Sequence, residues 1–161
     1  MVYDKLPEQL TAQITCITAD SRQVKPGTLF VCKGLAFKKE YLLSAAQKGA
    51  VAYLSERIYE DVKLPCILTE DVRKASSLAA QEFYRYPARD MTVVGITGTK
   101  GKTTVANILK QIFDVAASHR TALFSTGRVD TVKAEYETHL TTPEPIELDR
   151  KSTRLNSSHS H

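Results

Sequence analysis

"TVVGITGTKGKTTVANILK", residues 92 to 110, places a glycine-rich loop between two apolar segments. Val93, Val94 and Ile96 form a short β-branched run, which is typical of a strand buried on both faces. After the loop, apolar side chains recur at spacings of three and four and predict a helix with one apolar face: Val105, Ile108, Leu109, Ile112 and Phe113. The stretch therefore predicts a strand, a loop and a helix, in that order.

This order predicts a binding site for nucleotide phosphates. Loop amides would converge on the helix N-terminus, where unpaired N–H groups and the helix dipole favour an anion. Gly98 and Gly101 allow the backbone to come close to a ligand. Lys102 can then reach the β- and γ-phosphates, and the hydroxyl of Thr103 can ligate Mg²⁺. The alternative, a glycine-rich turn with incidental lysines, leaves the Gly-Lys-Thr triplet at a helix start unexplained.

The positive charge is concentrated at the C-terminal end of the chain. The chain has 161 residues and a net charge of +4, whereas residues 1 to 149 carry 19 basic and 18 acidic residues. This near balance argues against a nucleic-acid-binding protein. No apolar run reaches the roughly 18 residues of a membrane span, and the N-terminus lacks a signal-peptide pattern. We therefore expect a cytoplasmic protein that binds neither nucleic acid nor membrane.

The three cysteines, Cys16, Cys32 and Cys66, are widely separated and lie in apolar segments. An odd number of cysteines without a paired spacing does not fit a disulfide framework or a zinc site. We expect reduced thiols.

Alternating apolar segments predict an α/β fold. A helix is predicted over residues 40 to 49 with Gly49 at its end, and a second helix starts after Asp71 as N-cap and ends before Pro87. "RYPARD", residues 85 to 90, predicts the linker between two domains. Short apolar runs predict strands at 14–18, 28–32, 50–54, 66–68 and 121–125.

The predicted second domain is short. Residues 1 to 88 are expected to form a small N-terminal α/β domain, and residues 89 to 149 the beginning of a P-loop ATPase domain with a parallel sheet. The latter range has too few elements to cover a parallel sheet, so the chain is expected to be a fragment. The last twelve residues, 150 to 161, show no periodicity and are expected to be a disordered or non-native tail.

Three segments resemble, in order, the start of a Mur ligase of the tripeptide-synthetase branch. They are "DSRQVKPGTLFVCKG" from Asp20, "GITGTKGKTT" from Gly95 and "LTTPE" from Leu140, and the resemblance covers nearly all of residues 12 to 149. The general phosphate-loop pattern requires a glycine where this chain has Ile96. The glycine lies one residue earlier, at Gly95, which is the form that this family uses.

The resemblance implies a role for individual residues. Ser21 would contact the UDP part of the substrate, and Thr141 with Thr142 would hold the muramoyl-peptide part beside the γ-phosphate. Lys102 would be catalytic, and Thr103 would also bind the metal. The family commonly has an Asp-Gly-His-like segment where this chain has residues 35 to 39, so Lys38 and Lys39 either face a diphosphate or form a solvated helix start. The ATP-binding residues would be Gly98, Thr99, Lys100, Gly101, Lys102, Thr103 and Thr104.

The implied activity is an ATP- and Mg²⁺-dependent ligation in peptidoglycan precursor synthesis. It joins lysine or meso-diaminopimelate to UDP-N-acetylmuramoyl-L-alanyl-D-glutamate through an acyl phosphate. The family's magnesium-binding glutamate, carbamylated lysine and C-terminal amino-acid domain are not in this sequence, so the fragment is expected to be inactive alone. The resemblance also implies that the full-length protein is a monomer. A P-loop kinase or GTPase and a non-catalytic UDP-sugar-binding module are the alternatives.

Overall fold

A computed structural model describes residues 8–116, 121–126, 128–131, 134–136 and 145–156. The chain forms two compact units, unit 1 (Met1–Tyr86) and unit 2 (Pro87–His161). The boundary lies inside the expected linker, while the assignment of one ligand to each unit stays a prediction. Within the described residues, no helix combines the length and apolar composition that crossing a bilayer requires.

Unit 1 is built on a four-stranded parallel sheet in the order β1-β2-β3-β4. Leu29 of β2 pairs with Ile17 of β1 and with Ala52 of β3, and Tyr53 of β3 pairs with Cys66 of β4. The four strands predicted in this unit are therefore confirmed, three of them with one bound shifted by one or two residues. The strands are β1 (Cys16–Thr18), β2 (Thr28–Val31), β3 (Ala50–Ser55) and β4 (Cys66–Leu68).

Three helices accompany this sheet: α1 (Glu8–Thr11), α2 (Lys39–Gln47) and α3 (Val72–Phe83). The predicted end of α2 at Gly49 and the predicted start of α3 after Asp71 are both confirmed. Asp71 caps α3, since its carboxylate accepts hydrogen bonds from the amides of Arg73 and Lys74. Gly49 follows α2 with a φ of 94° and directs the chain into β3.

Both faces of the parallel sheet are covered, as burial of such a sheet requires. On one face, Phe30 and Tyr53 pack with Leu42 and Ala45 of α2. Because side chains alternate along a strand, neighbouring buried residues such as Leu54 point to the other face. There, α3 packs against β3 with a row of buried alanines. Unit 1 therefore has the three-layer arrangement that the alternating sequence predicts.

Unit 2 combines two helices with a small antiparallel sheet. Helix α4 (Lys102–Ala116) begins at the predicted position and packs against the first strand of the sheet. A 3-10 turn at Pro87–Asp90 packs against the last helix, α5 (Pro145–Asn156). The sheet strands are β5 (Leu123–Ser125), β6 (Arg128–Thr131) and β7 (Ala134–Tyr136), paired in that order.

The expected strand at Val93–Ile96 is not formed. These residues have no regular secondary structure, and Val93 and Val94 are 71% and 53% exposed. A central parallel strand needs a hydrogen-bonding neighbour and a helix over each face. The described part of unit 2 offers neither, because β5 pairs in an antiparallel hairpin with β6. The prediction of a mixed α/β fold with a parallel sheet is confirmed, but that sheet lies in unit 1.

The expectation of an irregular tail is wrong for residues 150 to 156. Helix α5 continues through Asn156, and Ser152 is buried on it. Glu147 supports this extension, because its carboxylate pairs with Arg150 and Lys151 one turn later. Residues 157 to 161 lie outside the described part of the chain, and the non-native origin of the segment stays a prediction.

The core of unit 1 yields a stability prediction at neighbouring leucines of α2. Leu42 is fully buried, whereas Leu43 is 37% exposed. Leu42→Ala should lower the free energy of unfolding by about 2–5 kcal/mol, because it leaves a cavity between α2 and the sheet. Urea unfolding followed by tyrosine fluorescence measures this, since six of the seven tyrosines lie in unit 1. Leu43→Ala is the matched control, and an equal loss in both variants would contradict this core.

Candidate functional site

The glycine-rich loop leads directly into α4. Gly98 has a φ of 153° and Gly101 a φ of 77°, conformations that L side chains adopt rarely. A Cβ atom at Gly101 would meet no neighbouring protein atom within 4 Å, so the constraint that the protein itself places on this position is the positive φ. The carbonyl of Gly101 then accepts the first helical hydrogen bond, from the amide of Val105. The loop thereby turns into the helix with its amides unpaired at the N-terminus.

Lys102 lies over this loop. Its Nζ donates a hydrogen bond to the carbonyl oxygen of Gly98 at 2.6 Å. An ammonium group has three donors, so this contact leaves two for phosphate oxygens. The contact also holds the charge at the helix N-terminus, where an anion is favoured. The lysine thus closes one side of the loop that precedes α4.

The first turn of α4 contains no acidic residue that would compete with an anion. Thr103 and Thr104 are exposed there, and Thr99 and Lys100 are exposed in the loop. For Mg²⁺, the site provides one oxygen donor, the Thr103 hydroxyl. Among the described residues, no group of three or more His, Cys, Asp or Glu side chains could hold a metal ion. The donor set therefore fits an ion that takes most of its remaining ligands from nucleotide phosphates and water.

An ionic network fixes α4 to the sheet of unit 2. Lys110 pairs with Asp114 one turn later and with Asp130 of β6 at 3.4 Å, and Asp130 also pairs with Arg128 at 2.8 Å. Burial alone would lower the pKa of the Lys110 ammonium, but the two carboxylates raise it above its usual value. The sequence does not predict this network. The spacing along α4 relates Lys110 to Asp114, but nothing in the sequence indicates that Asp130 of β6 lies beside them.

Ser21 lies in the turn after β1. The carboxylate of Asp20 organises this turn by accepting from the backbone amide of Arg22 at 2.9 Å and from its guanidinium at 2.8 Å. Lys48 donates to the backbone carbonyl of Ser21 at 2.7 Å. The side chain of Ser21 is half-buried. The turn is therefore held by an ion pair and a lysine, both of which leave the Ser21 hydroxyl unused.

A cleft of about 470 Å³ opens at the carboxyl ends of β2 and β3. Its walls include Gly34 and Phe37 after β2, Arg57 and Tyr59 after β3, and Arg73 in the first turn of α3. This is the edge of a parallel sheet at which ligands bind. Arg57, Tyr59 and Arg73 are not predicted from the sequence as site residues. The charged residues of "SERIY" immediately after a buried strand were the available signal.

The other residues predicted to contact the substrate are the two threonines of "LTTPE" and the two lysines at the start of α2. Thr141 and Thr142 lie outside the described residues. Lys39 begins α2 and pairs with Asp61, and Lys38 is exposed, so these two lysines form a solvated helix start. The structure thus brings Gly98 to Thr104 together in unit 2 and places Ser21 in unit 1.

The three cysteines are free, as expected. Burial raises the pKa of the Cys32 thiol to about 12. This thiol is therefore a structural group, and it is not a nucleophile at neutral pH.

Known proteins are similar in sequence to most of this chain. A family profile described as Mur ligase middle domain matches residues 96–161. The UDP-N-acetylmuramyl-tripeptide synthetase of Limosilactobacillus reuteri is 46% identical over 138 residues, which cover 83% of this chain and 27% of that protein. The UDP-N-acetylmuramoyl-L-alanyl-D-glutamate--L-lysine ligase of Enterococcus faecalis is 43% identical over 140 residues, which cover 86% of this chain and 27% of that protein.

The chain belongs to the Mur ligase family. It spans 27% of the length of these curated relatives. A solved UDP-N-acetylmuramoyl-L-alanyl-D-glutamate--2,6-diaminopimelate ligase superimposes with a TM-score of 0.66 at 22% identity, over 90% of this chain and 30% of that one. The MurF ligase from Thermotoga maritima in complex with ADP gives a TM-score of 0.50 at 27% identity, over 68% of this chain and 25% of that one. These structures share the fold of this Mur ligase segment.

The Asp20 turn yields a pH prediction. The guanidinium and the backbone amide of Arg22 hold the pKa of Asp20 at about 2, below its model-peptide value of 3.8. Because the pKa is lowered on folding, the ionised carboxylate stabilises the turn above pH 3.8, and this contribution is lost as the pH falls through about 2. Arg22→Ala should move the midpoint towards 3.8, as measured by NMR titration of the Asp20 carboxyl.

Arg22→Lys is the matched variant for this titration. It keeps a positive charge but loses the paired N–H groups, so its midpoint should lie between those of the wild type and Arg22→Ala. Identical midpoints in all three proteins would contradict the assigned cause.

Proposed function

We propose that this chain is the donor-binding and phosphate-loop part of a ligase that adds lysine to UDP-N-acetylmuramoyl-L-alanyl-D-glutamate with ATP. The observation that carries the proposal is the loop of Gly98 to Gly101 running into α4 with Lys102 folded over it. The names of the relatives support the substrate and the amino acid. The use of ATP and a nucleotide-linked donor supports a cytoplasmic location.

In this reaction a carboxylate oxygen of the donor attacks the γ-phosphorus of ATP. ADP leaves and an acyl phosphate forms; the amine of the incoming amino acid then attacks the acyl carbon, and phosphate leaves as the amide forms. Two anions have to approach each other in the first step. The loop amides and the two free donors of Lys102 offset this repulsion by binding the phosphoryl oxygens.

Mg²⁺ would be bound by the Thr103 hydroxyl together with phosphate oxygens, and it supplies neutralisation of the phosphate charge. Thr99, Lys100 and Thr104 complete the proposed nucleotide site through the loop backbone and the first helical turn. Because α4 is held to β6 by the Lys110 network, its N-terminus keeps a fixed direction. The chain thus provides a rigid cradle, which is what positioning of a phosphoryl group requires.

The donor is assigned to unit 1 through Ser21 and to Thr141 with Thr142 through the family resemblance. The Ser21 hydroxyl follows the carboxyl end of β1, the edge where α/β sheets bind ligands. The incoming amino acid is proposed to be lysine because the Enterococcus relative is named for it. Meso-diaminopimelate is the alternative, and a comparison of the two amines as substrates of the full-length enzyme separates them.

Lys102 provides the test of the nucleotide site. In the full-length protein, Lys102→Ala should cost about 3 kcal/mol or more of transition-state stabilisation, and so reduce ATP turnover at least about a hundredfold. The measurement is the rate of ADP release with saturating substrates. Lys100→Ala also removes one positive charge, but from the loop and not from the N-terminus of α4. Its effect should therefore be much smaller. Near-normal turnover of Lys102→Ala would count against the proposal.

Ser21 provides the test of the donor site. Titration of the ¹⁵N-labelled chain with UDP-N-acetylmuramoyl-L-alanyl-D-glutamate should shift amides around Ser21, whereas ATP should not. Loss of one hydrogen bond in Ser21→Ala should weaken donor binding about fivefold. Ser77→Ala, the same chemical change on α3, should leave the affinity unchanged. Equal shifts around Ser21 with both ligands, or with neither, would refute the assignment of the donor to unit 1.

A further inference from the structure

Charged groups, and not buried apolar ones, connect α4 to β6. The structure describes all of α4, and none of its residues is fully buried; apolar side chains such as Ile108 and Ile112 are more than half exposed. The side chains of Lys110 and Asp114, by contrast, are only 16% and 15% exposed, and that of Asp130 on β6 is 17% exposed. The sheltered contact between this helix and β6 is therefore ionic.

This network joins α4 to two strands. The ammonium group of Lys110 pairs with Asp114 and, at 3.4 Å, with Asp130. Asp114 also accepts from the backbone amide of Thr121, shortly before β5, at 3.3 Å, and Asp130 pairs with Arg128 at 2.8 Å. Because desolvation of sheltered charges offsets most of their attraction, such a network contributes more to a defined arrangement than to stability. Its geometry therefore sets the direction of the helix.

The direction of α4 at Lys110 matters for the phosphate loop, Gly98 to Gly101. Lys110 lies eight residues after Lys102, which is about 12 Å along the helix axis. Because a helix is stiff, a tilt of about 5° around Lys110 would move the amides at its N-terminus by about 1 Å. A misplacement of about 1 Å between reacting groups can lower a rate about a hundredfold. A small change at Lys110 is thus large enough to affect a reaction at the loop.

We propose that Lys110 is a positioning residue for phosphoryl transfer, which sets the direction of α4 through Asp114 and Asp130. This inference rests on the proposed function, because it takes the phosphate loop to bind ATP. Lys110 lies about two turns from the loop and acts through the helix, not on the nucleotide. Its loss leaves the contact of Lys102 with Gly98 in place, so the rate of the reaction should fall more than the affinity for ATP.

The experiment measures kcat and KM for ATP in the full-length protein, with calorimetric titration of ADP to count competent sites. Lys110→Met should lower kcat per competent site about tenfold or more, and should change KM for ATP and the dissociation constant of ADP less than about threefold. Lys110→Arg keeps the charge and its donors, and should restore kcat to within about threefold of the wild type. Lys63→Met, the same change at an exposed lysine of unit 1, is the matched control and should leave kcat unchanged.

An apolar variant separates direction from stability. Lys110→Met leaves two sheltered carboxylates without their shared cation, which by itself destabilises unit 2. The triple variant Lys110→Met, Asp114→Leu, Asp130→Leu removes all three charges and should unfold at a temperature no lower than that of the wild type. Its kcat should nevertheless stay about tenfold low, because apolar contacts do not fix the direction of the helix.

The outcomes distinguish this inference from the proposed function. A triple variant that is stable and turns over at the wild-type rate would overturn the role of Lys110. An equal loss of ATP affinity and of kcat in Lys110→Met would also overturn it, by showing that the lysine only supports the folded loop. Impaired turnover in Lys102→Ala with normal turnover in the Lys110 variants would remove this inference alone, whereas normal turnover in Lys102→Ala would remove the proposed function beneath it.

Discussion

A parallel sheet has to be buried on both faces, and this constraint organises unit 1. Unit 1 satisfies it with α2 on one face and α3 on the other, so its strands are almost completely buried. The helices leave only the strand ends uncovered. Ser21, Arg57 and the start of α3 all lie at the carboxyl ends of the strands, where the backbone has left the sheet. These candidate site groups are thus left accessible by the same packing that buries the core.

The same constraint explains which elements could be predicted from the sequence. The strands of unit 1 and α3 follow from apolar runs, a capping aspartate and a proline, because all their partners lie nearby in the chain. Val93 to Ile96 have the composition of a buried strand. Composition alone does not show whether a neighbouring strand and covering helices are present. Among the described residues, no strand or helix covers the segment, which stays irregular, and the apolar face of α4 stays exposed at Ile108 and Ile112.

The candidate sites divide along a similar line. The phosphate loop is local, so glycine spacing and the following helix place Gly98 to Thr104 without a structure. Arg57 and Arg73 are 16 positions apart in the sequence, and the sheet register brings them to one cleft. The partner of Glu56, the backbone amide of Val72, is also brought to it by the fold. Such partners follow from the three-dimensional structure and cannot be read from a local motif.

The two loop glycines differ in what could replace them over evolutionary time. Gly101 has the φ of a left-handed helical residue, a conformation that asparagine adopts with the least strain among the residues with a side chain. Gly98, with a φ of 153°, lies beyond the range that asparagine adopts. The backbone conformation therefore constrains the residue type more strictly at Gly98 than at the glycine next to the helix.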